Sequence, residues 1–361
     1  MTYLFFVQGE GRGHLTQALT MKARLESRGH KIAAVIAGPS PDYKLPAFFE
    51  DQFKDKLIRT HSPNFVVDKK GEGINMPASV IKTIKEFRLY GASIKEIRKI
   101  VSEKNPDIII NFYDPLAGIY YRLYNGRVPL FCVGHQYFIQ HPAFRFPRGR
   151  LGDRVGLKFY NWLTAPRQGK KIALSFTEAN DLKTKRLHVC PPLIRQNLKD
   201  QTPNDEDFVL VYMLNSGYSR QIINWSEKNP HIKIEAFWNR PHTETTVLND
   251  NLLFHNLHGD KFINRLANCS AYISTAGFES IAEAAYLQKK IMVVPTKRHF
   301  EQRCNAKDAE RAGIAIRSKR FDLSPMISGP KTKTQSNPAL RAFKDWVDQY
   351  NDKIINIIEL K

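Results

Sequence analysis

Glycine, histidine and glutamate fall in this chain at spacings that suit chemistry on a phosphorylated ligand. Gly9-Glu-Gly-Arg-Gly13-His14 directly follows an apolar run, Tyr3–Gln8. Gly11 and Gly13 let a backbone come close to a ligand, and a histidine at the following helix entrance can take a proton near neutral pH. Ser274-Thr-Ala-Gly277-Phe278-Glu279-Ser280-Ile-Ala-Glu283 reads as a strand end, a glycine turn at Gly277, and an alanine-rich helix. A helix N-terminus offers backbone N–H groups and a positive dipole end to a phosphate. Glu279 and Glu283 share one helical face, and a carboxylate one turn in could accept bonds from a ribose diol. The same residues taken alone also fit a capping histidine and a solvated glutamate pair.

Other candidates stand at the ends of apolar runs. Asp107–Phe112 ends at Asp114-Pro115, and Val128–Val133 ends at Gly134-His135-Gln136. Asp114, His135 and Gln136 therefore fall where doubly wound sheets place ligand-contacting residues. Leu214-Asn-Ser216-Gly217 follows the run Phe208–Met213, and Pro295 closes Ile291–Val294 ahead of Glu301, Gln302 and Asn305. Asp205-Glu-Asp207 has the DxD spacing of metal-dependent sugar transfer, but in a polar stretch before a strand it reads as a solvated turn.

The elements that must position these residues alternate strand and helix. Strands are expected at Lys31–Ala37, Lys171–Phe176, Leu187–Cys190, Ile232–Phe237 and Leu252–Asn256, with helices at Thr16–Arg28 and Asp260–Asn268. Apolar spacing makes Ala78–Lys104 helical, broken in two at Gly91. Ser318–Pro338 is expected to be mobile, and Ala339–Lys361 helical. The order predicts two α/β domains, one over 1–195 and one over 205–325, with a linker marked by Pro191-Pro192 and the polar Lys199–Asp207 run.

Composition sets the outer bounds. At 361 residues with 42% hydrophobic and 25% charged side chains, the chain is an ordinary globular one. No run is apolar enough to span a membrane, and the N-terminus enters a strand with no leader-like region. Four scattered cysteines suggest buried thiols, with neither a disulfide framework nor a zinc site. The net charge of +20 suits a polyanion. Much of it falls in 144–171, where eight lysines and arginines meet one acid, Asp153, among large apolar residues. That mixture fits an anionic membrane surface, and it also fits a single-stranded nucleic acid. No recognisable nucleic-acid-binding motif favours the second.

Together, Gly9–His14, Ser274–Glu283 and Pro295 with Glu301-Gln302 and Asn305-Ala306 resemble the GT-B glycosyltransferases, and most closely family 28. The resemblance implies two Rossmann-like doubly wound domains facing across a cleft, with a C-terminal helix (338–361) packing back on the first. It implies an inverting, metal-independent transfer of a hexose or N-acetylhexosamine from a nucleotide-sugar, a UDP-sugar, to a lipid-linked or glycan acceptor in envelope glycoconjugate synthesis. His14 would be the base, with Asp114 and His135 in reserve. Gly11, Gly13, Ser216, Gly217, Gly277, Phe278, Glu279, Ser280, Glu283, Glu301 and Gln302 would hold the donor. No cofactor is implied beyond the donor itself. The implied location is cytoplasmic, with peripheral contact to the inner face of the plasma membrane through 144–171. A nucleotide-sugar 2-epimerase of the same fold is the alternative, ahead of a nucleic-acid-binding protein.

Overall fold

The computed structural model describes residues 1–9, 11–39, 44–63, 82, 85–149, 151–213, 216–238, 245–256, 258–327 and 337–360. These form two compact units, one built from the chain up to Leu193 with the segment from Tyr350 onward, the other from Ile194 to Gln349. The polar Lys199–Asp207 run therefore lies inside the second unit.

The first unit holds a seven-stranded sheet in the order β3-β2-β1-β4-β5-β6-β7. Its strands are β1 (Thr2–Gln8), β2 (Lys31–Gly38), β3 (Leu57–Arg59), β4 (Ile108–Phe112), β5 (Leu130–Gly134), β6 (Lys170–Leu174) and β7 (Leu187–Cys190). All its pairings are parallel. Parallel strands covered on both faces must be apolar throughout. Tyr3–Val7 accordingly has no exposed surface, and neither do Ile108–Ile110 and Phe112. Val7 pairs with Ala37 on one side and with Phe112 on the other. The carboxyl ends of β1, β2 and β4 therefore finish level, and the loops after β1 and β4 leave side by side. Strand order reverses there, which is where open α/β sheets form a ligand crevice.

The second unit repeats the plan with β10-β11-β9-β8-β12-β13-β14. The strands are β8 (Glu206–Met213), β9 (Ile234–Trp238), β10 (Thr245–Asn249), β11 (Leu252–Asn256), β12 (Cys269–Ser274), β13 (Lys290–Val293) and β14 (Ile316–Arg317). Only β10 runs antiparallel to its neighbour. Ser274 pairs with Tyr212 and with Val293, so β8, β12 and β13 also end level. Its reversal of order falls between β8 and β12.

Several expected elements differ in detail. Phe87–Lys104 is one helix that runs through Gly91 unbroken. Gly91 is exposed and a Cβ there would meet nothing within 4 Å. A glycine on a solvated helix face costs about 1 kcal/mol, too little to end a well-anchored helix. The single helix expected over Ala339–Lys361 is two, Pro338–Gln349 in the second unit and Lys353–Glu359 in the first. Arg28 and His30 hold the latter through Glu359, both at 2.9 Å. Of the expected mobile segment, 328–336 lies outside the described residues, as do 78–81, 83 and 84 of the expected helix. Among the described residues, no helix is long and apolar enough to cross a membrane.

Candidate active site

At the first sheet's reversal point, Gly9 must be glycine, since a Cβ would lie 2.4 Å from the backbone nitrogen of Pro39. Gly11 has φ +87 and open space where its Cβ would stand, so its left-handed turn leaves the loop's face clear. Glu10 lies outside the described residues. The first helix starts at Arg12, earlier than the expected Thr16, which places Gly13 and His14 inside its first turn.

The His14 ring is held from three sides. Its Nδ1 lies 3.2 Å from Gln17 Oε1, one turn along the same helix. Its Nε2 lies 3.3 Å from Gln136 Nε2, after β5. Tyr113 stacks on it at 5.5 Å and 22°. An amide oxygen accepts, so Nδ1 carries the hydrogen and Nε2 keeps the lone pair. Burial pushes the imidazole down to about 4, against the Gln17 hydrogen bond, so the ring is neutral at pH 7.

Tyr113 takes the left-handed conformation, φ +64, which a bulky side chain adopts only under constraint. The constraint is visible: its hydroxyl donates to Asn161 Oδ1 at 2.5 Å, and Asn161 Nδ2 donates to the Gln136 carbonyl at 2.6 Å. One buried asparagine thus fixes two of the three groups around His14.

Asp114 is the N-cap of the Pro115–Tyr124 helix and is 1% exposed. Its Oδ1 accepts from the Leu116 N–H at 2.8 Å and the Ser62 hydroxyl at 3.3 Å. Its Oδ2 has no hydrogen-bond partner among the described residues. Burial outweighs the two bonds and raises the carboxyl to about 7. Gly38 makes room, since a Cβ there would stand 2.2 Å from Ser62 Cβ and 2.8 Å from Asp114 Oδ2. His135 is also buried, but its Nδ1 bonds the Leu174 carbonyl at 2.7 Å and its ring packs against Phe176 and Phe138. Burial lowers it to about 4. Its ties run to β6, whereas those of His14 run to Tyr113 and Gln136.

In the second unit three loops meet above the level ends of β8, β12 and β13. The Lys297 N–H donates to the Tyr218 hydroxyl at 3.0 Å, joining the loop after β13 to the turn Ser216–Tyr218, which carries Gly217. Leu214 and Asn215 lie outside the described residues. Asn305 Nδ2 donates to the Ala276 carbonyl at 3.0 Å, joining the Phe300–Arg311 helix to the turn after β12. Gln302 Oε1 accepts from the Thr296 N–H at 2.8 Å, and His299 caps this helix by accepting from the Gln302 N–H. Burial holds His299 near 4, which keeps the accepting lone pair free of a proton. Gln302 is buried and Glu301 half-buried at the same helix start.

Gly277 differs from the expected glycine turn. It is the extended N-cap of the Phe278–Tyr286 helix, with φ −75 and ψ 131, a conformation open to any residue. A Cβ there would meet only Ser280 Oγ, at 3.8 Å. The protein itself does not need this glycine, whose effect is to leave space before the helix N-terminus. Phe278, Glu279 and Ser280 occupy that first turn, whose N–H groups have no carbonyl of their own helix to bond.

Glu283 lies one turn further in and is 2% exposed. Sequence gave no sign of its partner, Arg195, which grips it at both oxygens, Nε to Oε1 at 2.6 Å and Nη2 to Oε2 at 2.9 Å. A carboxylate offers about four lone-pair sites, and Arg195 takes two of them. Asp205, of the DxD spacing, pairs with the buried Lys289 at 3.1 Å.

A family model described as glycosyl transferase family 1 matches residues 1–328. An uncharacterized glycosyltransferase of Methanosarcina acetivorans is 22% identical over 338 residues, 87% of this chain and 84% of that protein. The glycotransferase of kitacinnamycin, a crystal structure, is similar with TM-score 0.64 and 15% identity, over 99% of this chain and 98% of that one. Arabidopsis thaliana UGT89C1, complexed with UDP-L-rhamnose, is similar with TM-score 0.59 and 14% identity, over 98% and 94%. The two parallel, Rossmann-like sheets are those of the GT-B fold.

Proposed function

The chain belongs to glycosyl transferase family 1, and from that premise we propose an inverting transfer of a hexose or N-acetylhexosamine from a UDP-sugar to an acceptor hydroxyl. The observation that carries the donor half is the meeting of three loops at the second sheet's reversal point, before a helix N-terminus that Gly277 leaves open. There the departing diphosphate spreads its charge over backbone N–H groups. Glu283, steadied by Arg195, accepts the ribose hydroxyls, and Glu301 and Gln302 face the sugar. UGT89C1, similar in fold, has been crystallised with a UDP-sugar. No metal is assigned a step, because Asp205 is engaged by Lys289 and the helix end supplies the positive field.

The acceptor half rests on His14. As the acceptor oxygen attacks the anomeric carbon, the bond to the diphosphate oxygen breaks and the hydroxyl proton passes to His14 Nε2, displacing Gln136 from that atom. Nδ1–H stays on Gln17, which orients the ring as the third group of a catalytic relay does. Asp114 stands at the same sheet edge as a second proton-accepting group. The motifs' likeness to family 28 supports an acceptor that is lipid-linked and presented at a membrane, in envelope glycoconjugate synthesis.

The test is turnover of an anomerically defined UDP-sugar followed by proton NMR. Product of opposite anomeric configuration is expected. His14→Ala should lower kcat by 10²–10⁴-fold with UDP affinity unchanged. Retention of configuration, or full turnover by His14→Ala, would overturn the reading. Free hexosamine with no acceptor present would turn it to the 2-epimerase.

A further inference from the structure

The Leu151–Thr164 helix shows solvent the wrong face. Inside it only Asn161 and Thr164 are buried. Leu151 is 72% exposed, Val155 66%, Phe159 58% and Trp162 55%. At 100° per residue these four fall within one arc of about 80°. A soluble helix hides such a stripe, whereas here each of the four side chains is more than half exposed. Basic side chains border it: Lys158 on the same helix is exposed, Arg154 lies 4.4 Å over the Phe146 ring, and Arg122 lies 4.2 Å over the Trp162 ring.

We propose that this helix docks in the plane of an anionic lipid bilayer, apolar stripe downward and basic border on the headgroups. Charge complementarity selects that occupant: cations around an apolar stripe match phosphate headgroups over acyl chains. A nucleic acid fits less well, because Leu151 and Val155 offer bases nothing. Phe159 and Trp162 also stack on each other, at 5.5 Å and 28°, instead of standing apart to receive bases. A second copy fits less well too. Four such side chains expose on the order of 500 Å², short of the ~800 Å² per partner that a stable interface buries.

The docking helix is also wired to the candidate base. Its buried Asn161 holds both Tyr113 and Gln136, the two groups that touch His14 from other elements. Docking would thus present the His14 edge of the first sheet to an acceptor carried in the bilayer. This deepens the proposed membrane-presented acceptor, but the docking itself needs no donor and no turnover.

Trp162 makes the test direct. The other tryptophans, Trp225, Trp238 and Trp346, are all below 10% exposed, so a change in emission on docking reports on Trp162. The full chain is mixed with vesicles of phosphatidylglycerol and phosphatidylcholine, or of phosphatidylcholine alone. The expected results are a blue shift and co-flotation with the anionic vesicles only, weakened by salt. Trp162→Phe should still float but lose the blue shift. Leu151→Ser with Phe159→Ser should lower the partition constant at least tenfold while UDP binding stays unchanged. Equal flotation of the double variant would overturn the proposal. So would an absence of vesicle binding, whether accompanied by a dimer that the double variant dissociates or by RNA binding that it loses. Vesicle binding without any transferase activity would keep the docking and sink the proposed function instead.

Discussion

Gln17 and Tyr113 give His14 its proposed chemistry as much as its own position does. The hydrogen bond to Gln17 leaves the lone pair on Nε2, and the Tyr113 stack fixes where that atom points. Asp114 has a different electrostatic signature, because its folded pKa is raised to about 7. Its unfolded value is near 3.9. The sign follows from linkage: the protonated carboxyl stabilises the fold below the unfolded pKa, and that contribution is lost as pH rises through about 7. Asp114→Asn keeps the shape and removes the titration. The variant should therefore gain stability relative to wild type as pH rises from 4 to 8, by on the order of 2–4 kcal/mol. Thermal melts across that range would show it, and a difference that stayed flat would contradict the raised pKa. His14 and Asp114 were legible as candidates because each stands where a strand gives way to a helix, and Glu283 because it shares a helical face with Glu279 one turn past a strand end. Gln17, Asn161 and Arg195 were not, because their roles come from partners that only the fold delivers.

At the scale of elements, the apolar runs identified the buried strands well, since Tyr3–Val7 and Ile108–Ile110 carry no polar side chain to confuse the period. The strands that escaped are short and lie at the sheet edges. β3 falls where no strand is expected, β10 is half-exposed or exposed at every position, and both residues of β14 are exposed. Edge strands with no buried face leave no alternation to read. The Leu151–Thr164 helix was obscured for the opposite reason: its apolar stripe points outward, so its pattern resembles a core helix that the topology does not bury. Gly91 offers a check on the helix that the sequence had broken in two. Gly91→Ala removes backbone freedom at an exposed position with open space, and should stabilise the first unit by up to about 1 kcal/mol. Loss of stability in a denaturant titration would mean that the helix does bend there.

At the scale of the whole molecule, the chain is strongly cationic, +20 overall, and works with polyanionic partners in both of its proposed contacts. One is a nucleoside diphosphate held by backbone N–H groups, the other a headgroup layer met by lysine and arginine. The Arg195–Glu283 pair, its carboxylate buried and its guanidinium half-buried, complicates the obvious probe of the first contact. Removing one partner of such a pair costs about 3–5 kcal/mol, so loss of binding in Glu283→Ala would report on the fold as much as on the ligand. Gly277 avoids this, because its backbone suits any residue and only Ser280 Oγ stands near a Cβ. The measurement that bears most directly on the central claim is calorimetric titration of wild type and Gly277→Val with UDP, GDP, TDP and CMP. Selective binding of UDP by wild type is expected, weakened at least tenfold in Gly277→Val with an unchanged melting temperature. Absence of nucleotide binding in wild type, or UDP affinity untouched by Gly277→Val, would contradict the donor site placed at that helix.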